Sequence, residues 1–370
     1  VNKDVVPIDA SSKPELLALT GIRFVAALIV FLFHIQIRWT YVPTKFLVNV
    51  LDQGALGMSL FFVLSGFILS YQYSNRADNY RDYLLNRFAR IYPVYVVAAL
   101  LCLPWIGVEL IADRQHLVQL VLLVVSNILL VQAWFPTFFS LWNDGGSWSI
   151  CVEAFCYLLM PFLLKLFSGA SGRQLLLIML GCYGLAVMPG AVIVAFNNPG
   201  IFYSLPIYRL PEFSLGICGF LAMPYVLARQ KLADWATLTG LVLLVIYLGF
   251  YGPKLPGYIT HDWLLLPVLT LSIVSLAKSS GWLAQLLSTR LFTYLGQISY
   301  CFYSFQVFLL EILISHHAAL VASLPVLQHN AVLAVVSLAI LLVLSATGYH
   351  FVEVPARRWL KRQGHHMLSD

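Results

Sequence analysis

The chain is 370 residues long, 60% hydrophobic and only 10% charged, with a formal net charge of +6 and a mean hydropathy of +0.84. Too few charges remain to coat a water-soluble globule of this size. The composition excludes a soluble enzyme and predicts an all-α fold, a polytopic integral membrane helix bundle. The positive charge is spread between apolar runs and argues for topology, not for a nucleic-acid partner.

The first eighteen residues carry Lys3, Asp4, Asp9, Lys13 and Glu15, which does not resemble a cleavable signal peptide and predicts a cytoplasmic segment over 1–18. Eleven apolar runs follow, near 22–37, 54–73, 91–112, 117–135, 148–167, 174–196, 207–228, 235–251, 263–277, 291–315 and 331–351. A cytoplasmic N-terminus lets seventeen of the twenty-two Lys and Arg lie inside, but only if one run does not cross. The run from Leu117 to Phe135 is the one expected to be re-entrant or interfacial, because the following stretch, Pro136–Ser147, is rich in aromatic and small polar residues suited to a cavity. The expectation is therefore about ten transmembrane helices in a single domain over 1–370, both termini cytoplasmic, with a basic tail over 352–370. The six cysteines all fall within apolar runs, without zinc-ligand spacing, and read as small core residues; no metal is expected.

In chain order, the first unusual polar residues are Arg23 and His34 in GIRFVAALIVFLFHIQIRW. Eleven residues apart, they share a helical face about 16 Å apart along the axis. Two aligned ionisable groups in one span suit a polar pathway, although Arg23 can also snorkel and His34 can also be a packing residue. In the second run Gly54, Gly57, Ser59, Ser65, Gly66 and Ser70 suit close helix packing. Arg87 and Arg90 in NRFARIYPVY are three apart and offer two guanidiniums to phosphate, or serve as a positive-inside anchor. In GGSWSICVEAFCY, Trp148 stands beside Ser149, and Ser149 and Glu153 form an i, i+4 pair with the carboxylate one turn inside the apolar run. It needs a partner from another helix, or acts as a polar clamp. Arg209 and Glu212 in IYRLPEFSLG are an i, i+3 pair that most simply neutralise each other. Glu353 and Pro355 in YHFVEVPARRW precede the basic tail.

Taken in order, GIRFVAALIVFLFH, GALGMSLFFVLSGFIL, RFARIYPVY, GGSWSICVEAFCYLL, RLPEFSLG, LGQISYCFY and VEVP resemble the membrane acyltransferase 3 family, which includes bacterial polysaccharide O-acetyltransferases. The resemblance extends over about residues 16–358. It implies transfer of an acyl group, most often acetyl, from cytoplasmic acyl-CoA to a sugar hydroxyl of an exported or lipid-linked polysaccharide in the bacterial inner membrane. Acetyl-CoA is then the donor substrate, and membrane lipids and the polysaccharide or oligosaccharide acceptor are the partners. Arg23, Arg87 and Arg90 would hold the CoA, and His34 would act as general base on the hydroxyl with Glu153 orienting it. Trp148, Ser149, Arg209 and Glu212 would bind the acceptor or brace the site, with Trp134, Phe135 and Trp142 adding stacking surface. Where the family commonly has a histidine soon after ISY, this chain has Gln306, which leaves His34 as the catalytic candidate. The family's frequent esterase domain is not in the sequence, so the acceptor is expected to bind the membrane domain. A glycan transporter or flippase, or a noncatalytic subunit of a polysaccharide assembly complex, would share the buried polar residues but release no free CoA.

Overall fold

The computed structural model describes residues 15–74, 79–105, 117–138, 146–196 and 202–366. Among them there is no strand. The helices are α1 (Leu17–Gln36), α2 (Lys45–Leu51), α3 (Gly57–Tyr73), α4 (Tyr80–Leu101), α5 (Leu117–Ile128), α6 (Trp148–Ser168), α7 (Gly172–Phe196), α8 (Pro206–Leu227), α9 (Gln230–Tyr251), α10 (Asp262–Leu276), α11 (Trp282–Leu287), α12 (Arg290–Ser323), α13 (Asn330–Gly348) and α14 (Val354–His366). Ten helical segments among the described residues are long and apolar enough to cross a membrane, α2 and α3 counting as one and α13 continuing into α14. The run from Leu117 contributes a helix of 12 residues. At about 1.5 Å per residue that is too short to span about 30 Å of hydrocarbon, in line with the one run set apart above.

The bundle closes around α3 and α8, its most extensively packed helix pair. Small residues permit this: a Cβ added to Gly66 would meet the carbonyl oxygen of Phe213, and one added to Gly216 would meet that of Val63. Backbone-to-backbone approach of this kind drives helix association where lipid removes the hydrophobic preference for burial. Helix α1 lies between α3 and α12, and α14 folds back on α4. Two large apolar cores result, beside a smaller cluster of Ala99, Cys102, Leu123, Phe138 and Val307. One gathers Phe24, Phe31, Phe62, Phe213 and Phe302; the other gathers Leu19, Leu60, Leu64, Leu266 and Ile273. Helices α7 and α9 are peripheral and leave Leu176, Leu177, Leu180, Val242, Leu243 and Phe250 exposed, which is the surface a lipid-facing helix presents.

The α3–α8 approach generates a prediction. Gly66→Ala and Gly216→Ala should each force the helices apart and cost about 1–3 kcal/mol, read as a lower Tm in detergent. Gly181→Ala, where an added Cβ meets nothing within 4 Å, should leave Tm unchanged or slightly raised.

Candidate functional site

One end of the bundle gathers Arg23, Arg90 and Arg357 around a cavity of about 350 Å³, which opens among α1, α3, α4, α12 and the α13–α14 junction. Its polar lining is Glu15, Thr20, Gln72, Gln297 and Glu353 together with three guanidiniums, Arg23, Arg90 and Arg357. None of the three arginines makes a hydrogen bond or ion pair within the described residues, and none of their nitrogens is a closed-off buried atom. Their N–H groups therefore face cavity space. Arg87 does not join them: its Nη2 donates to Tyr73 Oη at 3.5 Å, and its guanidinium lies 5.6 Å from the Tyr73 ring centroid. One turn of α4 thus separates a cavity arginine from one stacked on an aromatic ring.

Arg23 and Arg90 also line a second, narrow cavity of about 30 Å³ farther into the bundle, with Phe61, Ser149, Glu153, Tyr157, Tyr300 and Tyr303. Ser149 and Glu153 share a face of α6, as their spacing requires. Glu153 accepts hydrogen bonds from Tyr157 Oη at 2.9 Å and Ser65 Oγ at 3.4 Å, and Ser149 Oγ lies 2.7 Å from Tyr303 Oη. The carboxylate is accordingly met by hydroxyls, with two guanidiniums on the wall of the same cavity. Pro93 in α4 and Pro161 in α6 cannot donate to the preceding turn, so both helices that flank this cavity carry a local break in their hydrogen-bond ladder.

His34 lies near the far end of α1 and lines neither cavity. Arg38 Nη1 is 3.3 Å from His34 Nδ1 and also donates to the His34 carbonyl at 3.1 Å. A guanidinium can only donate, so Nδ1 is the acceptor and Nε2 carries the hydrogen in this arrangement. The neighbour of His34 on the histidine side is therefore Arg38 and not Glu153.

Beside this end of α1, aromatic rings form a chain: Phe33 to Tyr258 at 5.2 Å, Tyr258 to Tyr203 at 5.7 Å, and Tyr203 to Trp148 at 4.8 Å between centroids. Burial raises the Tyr203 phenol, so it stays protonated through the physiological range. Beneath these rings Arg209, 1% exposed, lies 4.8 Å from the Tyr203 centroid and 5.7 Å from that of Trp148. Its Nε donates to the Tyr203 carbonyl at 2.7 Å, its Nη1 bonds Glu212, and Asp262 Oδ2 is 4.0 Å away. Arg209 and Glu212 are thus the buried pair their spacing suggests. Asp262 was not singled out from sequence, although an aspartate opening an apolar run in GYITHDW is a legible signal. Trp134 packs edge-on against Phe155, Phe135 and Trp148 border a small hollow with Gln132 and Ser204, and Trp142 lies outside the described residues. Gln306 is buried, with Oε1 unpartnered among the described residues. No group of three His, Cys, Asp or Glu able to hold a metal occurs among the described residues.

A family profile described as an acyltransferase domain matches residues 16–350. Among curated proteins, an acyltransferase of Streptomyces mycarofaciens (MdmB) is 31% identical over 43% of this chain and 41% of its own length. YrhL of Bacillus subtilis, named for peptidoglycan O-acetylation, is 24% identical over 92% of this chain and 54% of its own length. The O-acetyltransferase OatA of Staphylococcus aureus is 22% identical over 96% of this chain and 60% of its own. The chain spans between about two-fifths and three-fifths of the length of these relatives. No solved structure matches it significantly.

The contrast between paired and unpaired arginines is testable. Arg209→Leu leaves Glu212 and Asp262 buried without a cation and should cost about 3–5 kcal/mol, read as a large drop in Tm or loss of monodisperse protein. Arg90→Ala removes a group that faces open cavity and should leave Tm within a degree or two.

Proposed function

The chain belongs to the membrane acyltransferase family, and we propose that it moves an acyl group from acyl-CoA on the cytoplasmic side to a sugar hydroxyl of an exported or lipid-linked glycan on the other. The observation that carries this reading is the pair of cavities joined at Arg23 and Arg90, one roomy and open at the basic end, the other narrow and lined by hydroxyls and Glu153. Guanidiniums without protein partners suit phosphate oxygens, to which they offer charge-assisted, bidentate hydrogen bonds. The pantetheine arm would part the walls of the narrowing beyond them, which at rest has room for about one water molecule. The names of YrhL and OatA support an O-acetyl product, and acetyl-CoA is the donor this reading adds.

The acceptor reaches the site from the opposite end, where the rings of Trp148, Tyr203 and Tyr258 offer flat apolar surface to sugar C–H faces. Its hydroxyl oxygen attacks the thioester carbonyl carbon; a C–O bond forms as the C–S bond breaks. His34 takes the hydroxyl proton on Nδ1 and passes it to the departing CoA thiolate, so the enzyme ends unchanged. Nδ1 is held by Arg38 at rest, so the incoming hydroxyl takes the place of Arg38 there. The displaced guanidinium can then hydrogen-bond the oxyanion. Glu153 balances the charge of Arg23 and Arg90 along the path of the arm. The seventeen basic residues that this orientation puts inside support cytoplasmic termini.

In proteoliposomes supplied with radiolabelled acetyl-CoA and a glycan acceptor, the protein should release free CoA in step with labelled ester. His34→Ala should fold and bind CoA yet lose about 10²–10⁴-fold in transfer, and His34→Gln should fail similarly because an amide cannot take the proton. Near-parental turnover by His34→Ala would move the base to Glu153. Movement of glycan without CoA release would replace the enzyme with a transporter. Cysteines introduced near residues 230 and 284 should resist impermeant thiol reagents in intact cells, and one near 256 should label; the reverse pattern inverts the orientation.

A further inference from the structure

The last span does not end in a simple helix stop. After α13 closes at Gly348, residues Tyr349–Glu353 form one wide turn with i to i+5 hydrogen bonding, and α14 resumes with Pro355 as its second residue. Proline has no N–H for the preceding turn, which favours such a local widening. The geometry has a consequence for three side chains spaced by four: Tyr349, Glu353 and Arg357. In a regular α-helix each step of four over-rotates by about 40°, so the third would drift well away from the first. The wider turn advances less per residue and brings them back together. All three line the basic-end cavity.

The neighbouring residues point elsewhere. Phe351 is 78% exposed and Trp359 60% exposed, and Arg358 is exposed, as expected for the interfacial face of an amphipathic helix. Arg357 is half-buried and turned inward, against the side where α14 packs on α4, the helix that carries Arg90. Glu353, 1% exposed, accepts from Cys301 Sγ at 3.5 Å and forms no ion pair with any of the three cavity arginines. Arg357 lines only the larger cavity, whereas Arg23 and Arg90 reach both.

We infer that Arg357 is a third donor-binding guanidinium, contacting a CoA phosphate at the mouth of the cavity, so that the helix after the last span is a wall of the donor site. The inference rests on the acyl-CoA reading above. Arg23 and Arg90 then stand deeper, holding phosphate oxygens nearer the root of the arm, and the three guanidiniums are spread along the donor's phosphates with Arg357 outermost.

The test compares acetyl-CoA with acetyl-pantetheine, which keeps the thioester and lacks every phosphate, using the purified full chain in proteoliposomes. Arg357→Ala should raise KM for acetyl-CoA about 10- to 100-fold, the usual consequence of losing a charge-assisted phosphate contact, with kcat changed less than about threefold. KM for acetyl-pantetheine should not move. Arg357→Lys should recover part of the loss, since it keeps the charge without the planar fork. Equal losses with both donors would assign Arg357 to packing, and a loss that disappears when anionic lipid is omitted would assign it to a lipid headgroup; either overturns the inference. Unchanged acetyl-CoA kinetics in Arg357→Ala, alongside weakened binding in Arg90→Ala, would overturn it while leaving the donor reading intact. A parent protein that binds no CoA at all would overturn both.

Discussion

A guanidinium inside an apolar bundle must be answered by an anion, and the way each arginine is answered organises this structure. Arg209 is answered from within, by Glu212 and Asp262, under a roof of aromatic rings. It is built as part of the scaffold. Arg23, Arg90 and Arg357 converge on open space and have no such partner among the described residues. An uncompensated cation in a membrane protein is costly unless water or a ligand meets it, and on the proposed reading a multiply charged phosphate ligand would answer all three. The same residue type thus does two different jobs, distinguished by what lies within reach.

The scaffold exists to hold these arginines apart. Gly66 and Gly216 let α3 and α8 meet backbone to backbone, which locks Arg209 at one end of α8 beside the aromatic chain. Helix α1 crosses the bundle between α3 and α12, carrying Arg23 at its basic end and His34 at the other. On the proposed reading, donor and acceptor meet opposite ends of a single rigid element, at side chains about 16 Å apart along its axis.

Much of this arrangement was legible in the sequence. Hydropathy and the distribution of Lys and Arg were enough for ten crossings and for setting the Leu117 run apart, because span length and backbone satisfaction are properties of the chain itself. The shared faces of Arg23 with His34 and of Ser149 with Glu153 followed from helical periodicity. What periodicity does not carry is the identity of neighbours on other helices. Glu153 was expected beside His34, yet its hydrogen-bond partners are Tyr157 and Ser65, and the residue beside His34 is Arg38 on the same helix. Arg87 and Arg90 looked like a pair, but three residues of rotation send one to Tyr73 and the other to the cavity. Arg357 was hidden in a basic tail whose charge already had an explanation. Only the wide turn before Pro355, which linear spacing does not show, turns it inward.

The narrow cavity between Arg23, Arg90 and Glu153 has a consequence for the cell as well as for the reaction. A space of about 30 Å³ holds roughly one water molecule, not the continuous file that would carry protons along it. The two guanidiniums on its wall add an electrostatic barrier to any cation, as fixed positive charges do in water-selective pores. On the proposed reading, acyl transfer past such a neck would leave the membrane insulating, so that substrates drawn from opposite sides would not short-circuit the ion gradients that energise it.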